Sequence, residues 1–92
     1  VRIYTDEIIN AICYSMAERR GVSPSDVEVQ LSWEEEYGFT AEVWVNGRSQ
    51  YIIEANILEA IEQYIFKQYN RRVFRSNITL DADEQFWADI SD

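Results

Sequence analysis

The chain has no histidine in 92 residues, one cysteine, one proline and three glycines, and it sets 8 basic side chains against 17 acidic ones. Each shortage excludes something. Without histidine there is no Ser-His-Asp or Cys-His catalysis, no imidazole base at neutral pH and no His-based zinc site. The lone Cys13 excludes an intramolecular disulfide and any multi-cysteine metal knuckle, and it fits a reducing compartment. No apolar run reaches the roughly 18 residues of a membrane span, and no basic segment leads into the apolar stretch of a signal peptide. A cytosolic location is the default expectation. The formal net charge of −9 repels phosphate backbones and anionic lipid, so neither nucleic acid nor membrane is an expected partner. A basic or apolar protein surface is.

What is present is core material. Hydrophobic residues make up 47% of the chain and aromatic residues 14%, which is enough for one compact domain over residues 1–92 and too much for a disordered segment. From Asp6 to Arg20 the helix signals agree at both ends: Thr5 as cap, Tyr4 and Ile9 as a staple, Asp6 and Glu7 at the positive dipole end, Arg19 and Arg20 at the negative end, Gly21 as stop. Ile8, Ile9, Ile12, Cys13 and Met16 recur at helical spacing and define a buried stripe.

After Val22-Ser23-Pro24-Ser25-Asp26 the period changes to two. Val27, Val29, Leu31 and Trp33 alternate with Glu28, Gln30, Ser32 and Glu34, the pattern of a strand with one wet face. Tyr37-Gly38 closes an acidic turn, and Phe39 to Val45 forms a second strand. Asn46-Gly47 is a strong two-residue hairpin signal leading to a third strand over Ser49–Ile53. Asn56 with Glu59 resembles a capping box, Ile57, Leu58, Ile61, Tyr64 and Ile65 make a second helical stripe, and Asn70 is a plausible stop. Ile78 and Leu80 mark a fourth strand, Asp83-Glu84 a turn, and Phe86, Ala88 and Ile90 a terminal strand. The expectation is an α+β, two-layer sandwich of order α-β-β-β-α-β-β, with two helices packed on one face of an antiparallel sheet.

Helix-strand-strand-strand-helix is also the order of double-stranded RNA-binding modules. Those bind through basic contacts to phosphate and 2′-hydroxyl groups, whereas the second helix here opens Glu54-Ala55-Asn56-Ile57-Leu58-Glu59-Ala60-Ile61-Glu62. Charge rejects that analogy. A closer likeness lies in Ile9-Asn10-Ala11-Ile12-Cys13, Val22-Ser23-Pro24-Ser25-Asp26-Val27-Glu28-Val29, Tyr37-Gly38-Phe39-Thr40-Ala41-Glu42-Val43, Val45-Asn46-Gly47-Arg48 and Ile53-Glu54-Ala55-Asn56-Ile57. Over residues from about 5 to 65 the chain resembles the YxcD-like domains of unknown function, a small family from Bacillus and its relatives. The resemblance implies a cytosolic protein of Bacillales without known activity, and it brings no catalytic residues.

Register supplies the best functional clue. If Asn46-Gly47 is a two-residue turn, Trp44 opposes Ser49, and Tyr51 and Ile53 join Trp44 on the face away from the helices. A one-residue bulge would put Ile52 there instead. Either way an apolar patch faces outward, to be covered by the C-terminal Phe86 and Trp87 or to meet a protein partner, first of all a second copy in a homodimer. The acidic run Glu34, Glu35, Glu36, with Glu28 and Glu42 nearby, is a solvated turn or a docking site for a basic partner, which makes an acidic adaptor or inhibitor the alternative function. Arg71, Arg72 and Arg75 would permit head-to-tail self-contact.

Other constellations carry less. Asp81, Asp83 and Glu84 lack the glycine and distal glutamate of a calcium loop, so no metal is expected. Cys13 reads as a small buried hydrophobe. Glu54, Glu59 and Glu62 would need a cleft to share acid-base work, which so small a two-layer domain seldom leaves. The expectation is therefore a non-enzymatic domain without cofactor.

Overall fold

The computed structural model describes residues 1–91. In chain order the elements are β1 (Arg2–Tyr4), α1 (Thr5–Arg20), β2 (Val27–Glu34), β3 (Gly38–Val45), β4 (Arg48–Ile53), α2 (Glu54–Tyr69), β5 (Ile78–Ala82) and β6 (Phe86–Ile90), with 3₁₀ turns at Pro24–Asp26 and Arg75–Asn77. The α+β order α-β-β-β-α-β-β is present, preceded by a short strand that the sequence pattern does not reveal. The strands form two antiparallel three-stranded sheets, β2-β3-β4 and β1-β6-β5, where one sheet was expected. Three residues are too few to display an alternation, and β1 finds its partner at the opposite end of the chain. Ile3 stands opposite Ala88, and both are fully buried.

Turn chemistry sets the first sheet. Asn46 and Gly47 both take positive φ, 52° and 79°, as a type I′ turn requires, so its backbone twist matches that of the strands it joins. Val45 consequently pairs with Arg48 and Trp44 with Ser49, the unshifted register of the two considered. At the other hairpin, Gly38 at φ 71° closes the Glu35–Tyr37 connection and lets Glu34 pair with Gly38. Every side chain on the sheet is thereby assigned a face.

The helix termini differ from expectation in two places. Tyr4, not Thr5, is the N-cap of α1, and the Thr5 hydroxyl turns instead to β6, accepting from the Phe86 N–H at 3.0 Å and donating to the Phe86 carbonyl at 3.2 Å. Likewise α2 begins at Glu54, so Asn56 sits three residues inside and its Oδ1 accepts from the Ile53 N–H at 3.1 Å. Glu59 is free for other work. It accepts from Arg19 at 3.1 Å and Arg75 at 2.9 Å, linking α1, α2 and the second 3₁₀ turn. Both stops hold, with Gly21 at φ 69° and Asn70 at φ 55°.

One contiguous core joins the layers. Ile8 and Ile12 of α1, Ile57, Ile61 and Ile65 of α2, Val43 of β3 and Ile3 of β1 are all essentially inaccessible, each contributing about 1.5–3 kcal/mol of apolar burial. Ile9 and Cys13 of the expected stripe are half-buried, while Ala11 and Ala17 are buried along the cleft where α1 meets α2. Small side chains there allow the helices to approach. On β3 and β4 the core-facing set is Ala41, Val43, Val45 and Ile52. The opposite face of that sheet remains.

Candidate functional site

That opposite face is built in rows by the strand register. Glu28, Trp44 and Ser49 form the first row, Gln30, Glu42 and Tyr51 the second, and Ser32, Thr40 and Ile53 the third, with Glu34 beyond them opposite Gly38. The C-terminal segment does not fold over these rows. Its Phe86 meets Phe39 edge-on at 6.1 Å, on the core side of β3, and Trp87 lies under the Arg2 guanidinium at 4.8 Å. Both aromatic residues thus belong to the second sheet and its packing.

Exposure distributes unevenly over the rows. Tyr51 is 70% exposed and Ile53 59%, whereas Trp44 is half-buried. Ile53 stands opposite Thr40, four residues along β3 from Trp44, so about 13 Å of strand separates Trp44 from Ile53. The Glu42 and Tyr51 row lies between. The patch that the sequence centres on Trp44 therefore has its exposed apolar part at Tyr51 and Ile53, toward the acidic hairpin.

There the surface is concave. Glu34, Tyr37, Thr40, Tyr51, Ile52 and Ile53 line an open niche of about 300 Å³. Thr40 is nearly inaccessible, and its hydroxyl pairs with that of Ser32 at 3.2 Å, so the polar groups at the floor satisfy each other. Tyr37, 65% exposed, supplies a wall from the turn. From the sequence alone Tyr37 reads only as part of the turn that Gly38 closes, and Thr40 has no role. An aromatic residue next to a positive-φ glycine was the available signal, because such a turn aims its side chain at a fixed place beside the sheet.

Electrostatics reinforce the geometry. The charge of Glu42 across the strand pair, with a hydrogen bond to the same carboxylate, burial and the more distant Glu34 charge, pushes the Tyr51 phenol above its usual pKa. Glu35 and Glu36 lie in the turn itself and are exposed, so of the acidic run Glu34 is the member that shares the niche. Glu54 Oε1 approaches Gly38, within 3.7 Å of where a Cβ would stand, adding another carboxylate at this end.

The remaining candidates resolve into structural roles. Cys13 is half-buried, its thiol pushed up by burial and donating to the Val27 carbonyl at 3.5 Å, an arrangement opposed to thiolate chemistry. Asp81 and Asp83 turn their carboxylates onto nearby backbone N–H groups, of Ala82 and of Glu84 and Gln85, and no cluster of three metal-ligating side chains occurs among the described residues. Arg75 is held by Glu59 and Glu62, Arg72 lies 5.6 Å over the Phe66 ring, and Arg71 is also engaged, so the basic group read as a head-to-tail contact is committed within the chain. The α1–α2 cleft, about 290 Å³, is edged by Tyr14 and Tyr64, whose rings stack at 6.2 Å. Among the described residues, no helix is long and apolar enough to cross a membrane.

Comparison with known proteins adds a family. A family model described as "Protein of unknown function (DUF2653)" matches residues 1–85. No curated protein and no solved structure matches the chain.

Proposed function

The chain belongs to the DUF2653 family, a domain of unknown function, and we propose that it works by protein contact, without catalysis or cofactor, presenting the outer face of β2-β3-β4 to a basic partner. One observation carries this: Tyr51 and Ile53 stand exposed beside Glu34 and Glu42 on a sheet face that its own C-terminal strands leave open. Apolar surface supplies affinity and the carboxylates select the sign of the partner.

Of the two occupants expected from sequence, a basic surface fits better than a second copy. A two-fold contact centred on β3 would bring Glu42 toward its own copy, and desolvating like charges without partners is unfavourable. The narrower kinship with the YxcD-like domains, and the cytosolic setting it implies, belong to the same proposal. Two segments that carry the kinship, Tyr37-Gly38-Phe39 and Val45-Asn46-Gly47-Arg48, are the turns that shape this face.

The test is an amide NMR titration of the whole chain with a synthetic peptide alternating lysine and leucine, set against the same peptide with glutamine for lysine. Shifts concentrated on β2 to β4, weakened by added salt and lost in Glu34→Lys with Glu42→Lys, are the expected result. Shifts scattered over the acidic surface would overturn the proposal. So would a concentration-dependent dimer that Trp44→Ala dissociates, which would assign the face to self-association.

A further inference from the structure

Tyr37 and Tyr51 come from different segments, a turn and the far strand, yet the fold sets both at one niche with Ile53 between chain and solvent and Glu34 at the rim. Its volume, about 300 Å³, is at the lower end for small-molecule sites and is room for one long side chain. We propose that this niche seats a single cationic side chain, lysine or arginine, of the partner, as the anchor of the contact. The inference rests on the reading of the outer face as a docking surface for a basic protein.

Three features select that occupant. Phenol rings present negative faces that attract an organic cation, and an aliphatic stem has Ile53 to lie against. The floor makes no demand of its own, because the Ser32 and Thr40 hydroxyls already bond each other. The charged groups placed here by the structure are all carboxylates: Glu34 at the rim, Glu42 opposite Tyr51, Glu54 against Gly38. A purely apolar side chain would strip water from Glu34 without replacing it, and an anion would be repelled. A second copy has few cations to donate: its Arg2, Arg19, Lys67 and Arg75 are in ion pairs with Asp89, Glu59, Glu18 and Glu59 respectively, Arg72 is over Phe66 and Arg71 is engaged. That leaves the exposed Arg20 and Arg48, and a dimer dissociated by Arg20→Gln or Arg48→Gln would assign the niche to self-association instead.

Small probes test the anchor apart from the rest of the face. The full chain would be titrated with Nα-acetyl-lysine methylamide, the corresponding arginine compound and the norleucine compound, following the Tyr37, Tyr51 and Ile53 signals. Expected is saturable binding of the two cations, about tenfold tighter than norleucine, and about tenfold weaker in Tyr37→Leu and in Tyr51→Leu. Both tyrosines are largely exposed, so these variants should keep the parent spectrum elsewhere. Equal response to norleucine, or equal shifts at Glu18 and Glu84, would overturn the niche. If the lysine-leucine peptide still bound across β2 to β4 while both leucine variants bound it undiminished, the anchor would fall and the docking surface would stand. If neither peptide nor probes bound, both would fall.

Discussion

Tyr51 stands directly across the β3–β4 pair from Glu42, and that carboxylate, more than any other group, holds the phenol above its ordinary pKa. A phenolate beside a carboxylate is penalised by like charge, so the proton is retained to higher pH. Glu42→Gln removes the largest contribution, and the Tyr51 pKa should fall toward the ordinary tyrosine value near 10. A ¹³C titration of labelled tyrosine reads it directly. Glu34→Gln should move the same resonance by less, since its charge is the last of the contributions. A Tyr51 titration unchanged by both substitutions would show that the two carboxylates do not reach the ring, and would remove the electrostatic part of the site.

Much of this arrangement was legible in the sequence, and the reason is local. Asn46-Gly47 limits the hairpin to two registers before any tertiary contact is known, and the unshifted one, which the structure shows, puts Trp44, Tyr51 and Ile53 on one face. The strand limits over Val27–Glu34 follow from alternation in the same way. What failed depended on partners distant in the chain. β1 exists because β6 supplies its hydrogen bonds, and Thr5, a good cap by type, is drawn to Phe86 by tertiary packing. Helix α2 starts three residues earlier than an Asn56 cap implies, because the Asn56 side chain bonds from N3 back to the Ile53 cap. The concavity between Tyr37 and Tyr51 is likewise a product of two segments meeting, and alternation within one strand carries no trace of it.

At alkaline pH the weak point should be the tyrosine pair on Glu7. Tyr64 and Tyr69 both donate to Glu7 Oε2, at 3.0 and 2.6 Å, and burial, followed by the Glu7 hydrogen bond, pushes Tyr64 up to about 12. The unfolded chain loses this proton near pH 10, while the folded chain keeps it until about 12. Between those values the unfolded state holds fewer protons, so stability falls as pH rises, whereas below pH 10 the contribution is whole. Urea unfolding at about pH 8, 10 and 11.5 should show that decline. Tyr64→Phe should cost about 1 kcal/mol near neutrality through the lost hydrogen bond, and should flatten the decline. Tyr69 and Tyr51, also shifted upward, keep part of it. Curves for variant and parent that run parallel from pH 8 to 11.5 would show Tyr64 to titrate normally.

Thr5 offers a test of how the second sheet is tied to the first helix. Its hydroxyl satisfies both the N–H and the carbonyl of Phe86, at the point where β6 begins and where the Phe86 ring meets Phe39. Thr5→Val keeps the shape and removes both bonds, leaving two partly buried backbone groups without that partner at a cost of about 1–3 kcal/mol. The damage should be local to the junction. Hydrogen exchange should accelerate at Phe86 and along the β1-β6-β5 sheet, while the amides of Ile8 and Ile9, the first with carbonyl partners inside α1, keep their protection, because Tyr4 rather than Thr5 occupies the cap of α1. A side chain that acted as a cap would give the reverse, with the first turn of α1 exchanging faster and Phe86 unchanged. Thr5→Asn separates the two roles once more: it preserves a capping oxygen but displaces the hydroxyl geometry that bridges Phe86, so protection lost at Phe86 in both variants fixes the role of Thr5 as the tie between α1 and β6.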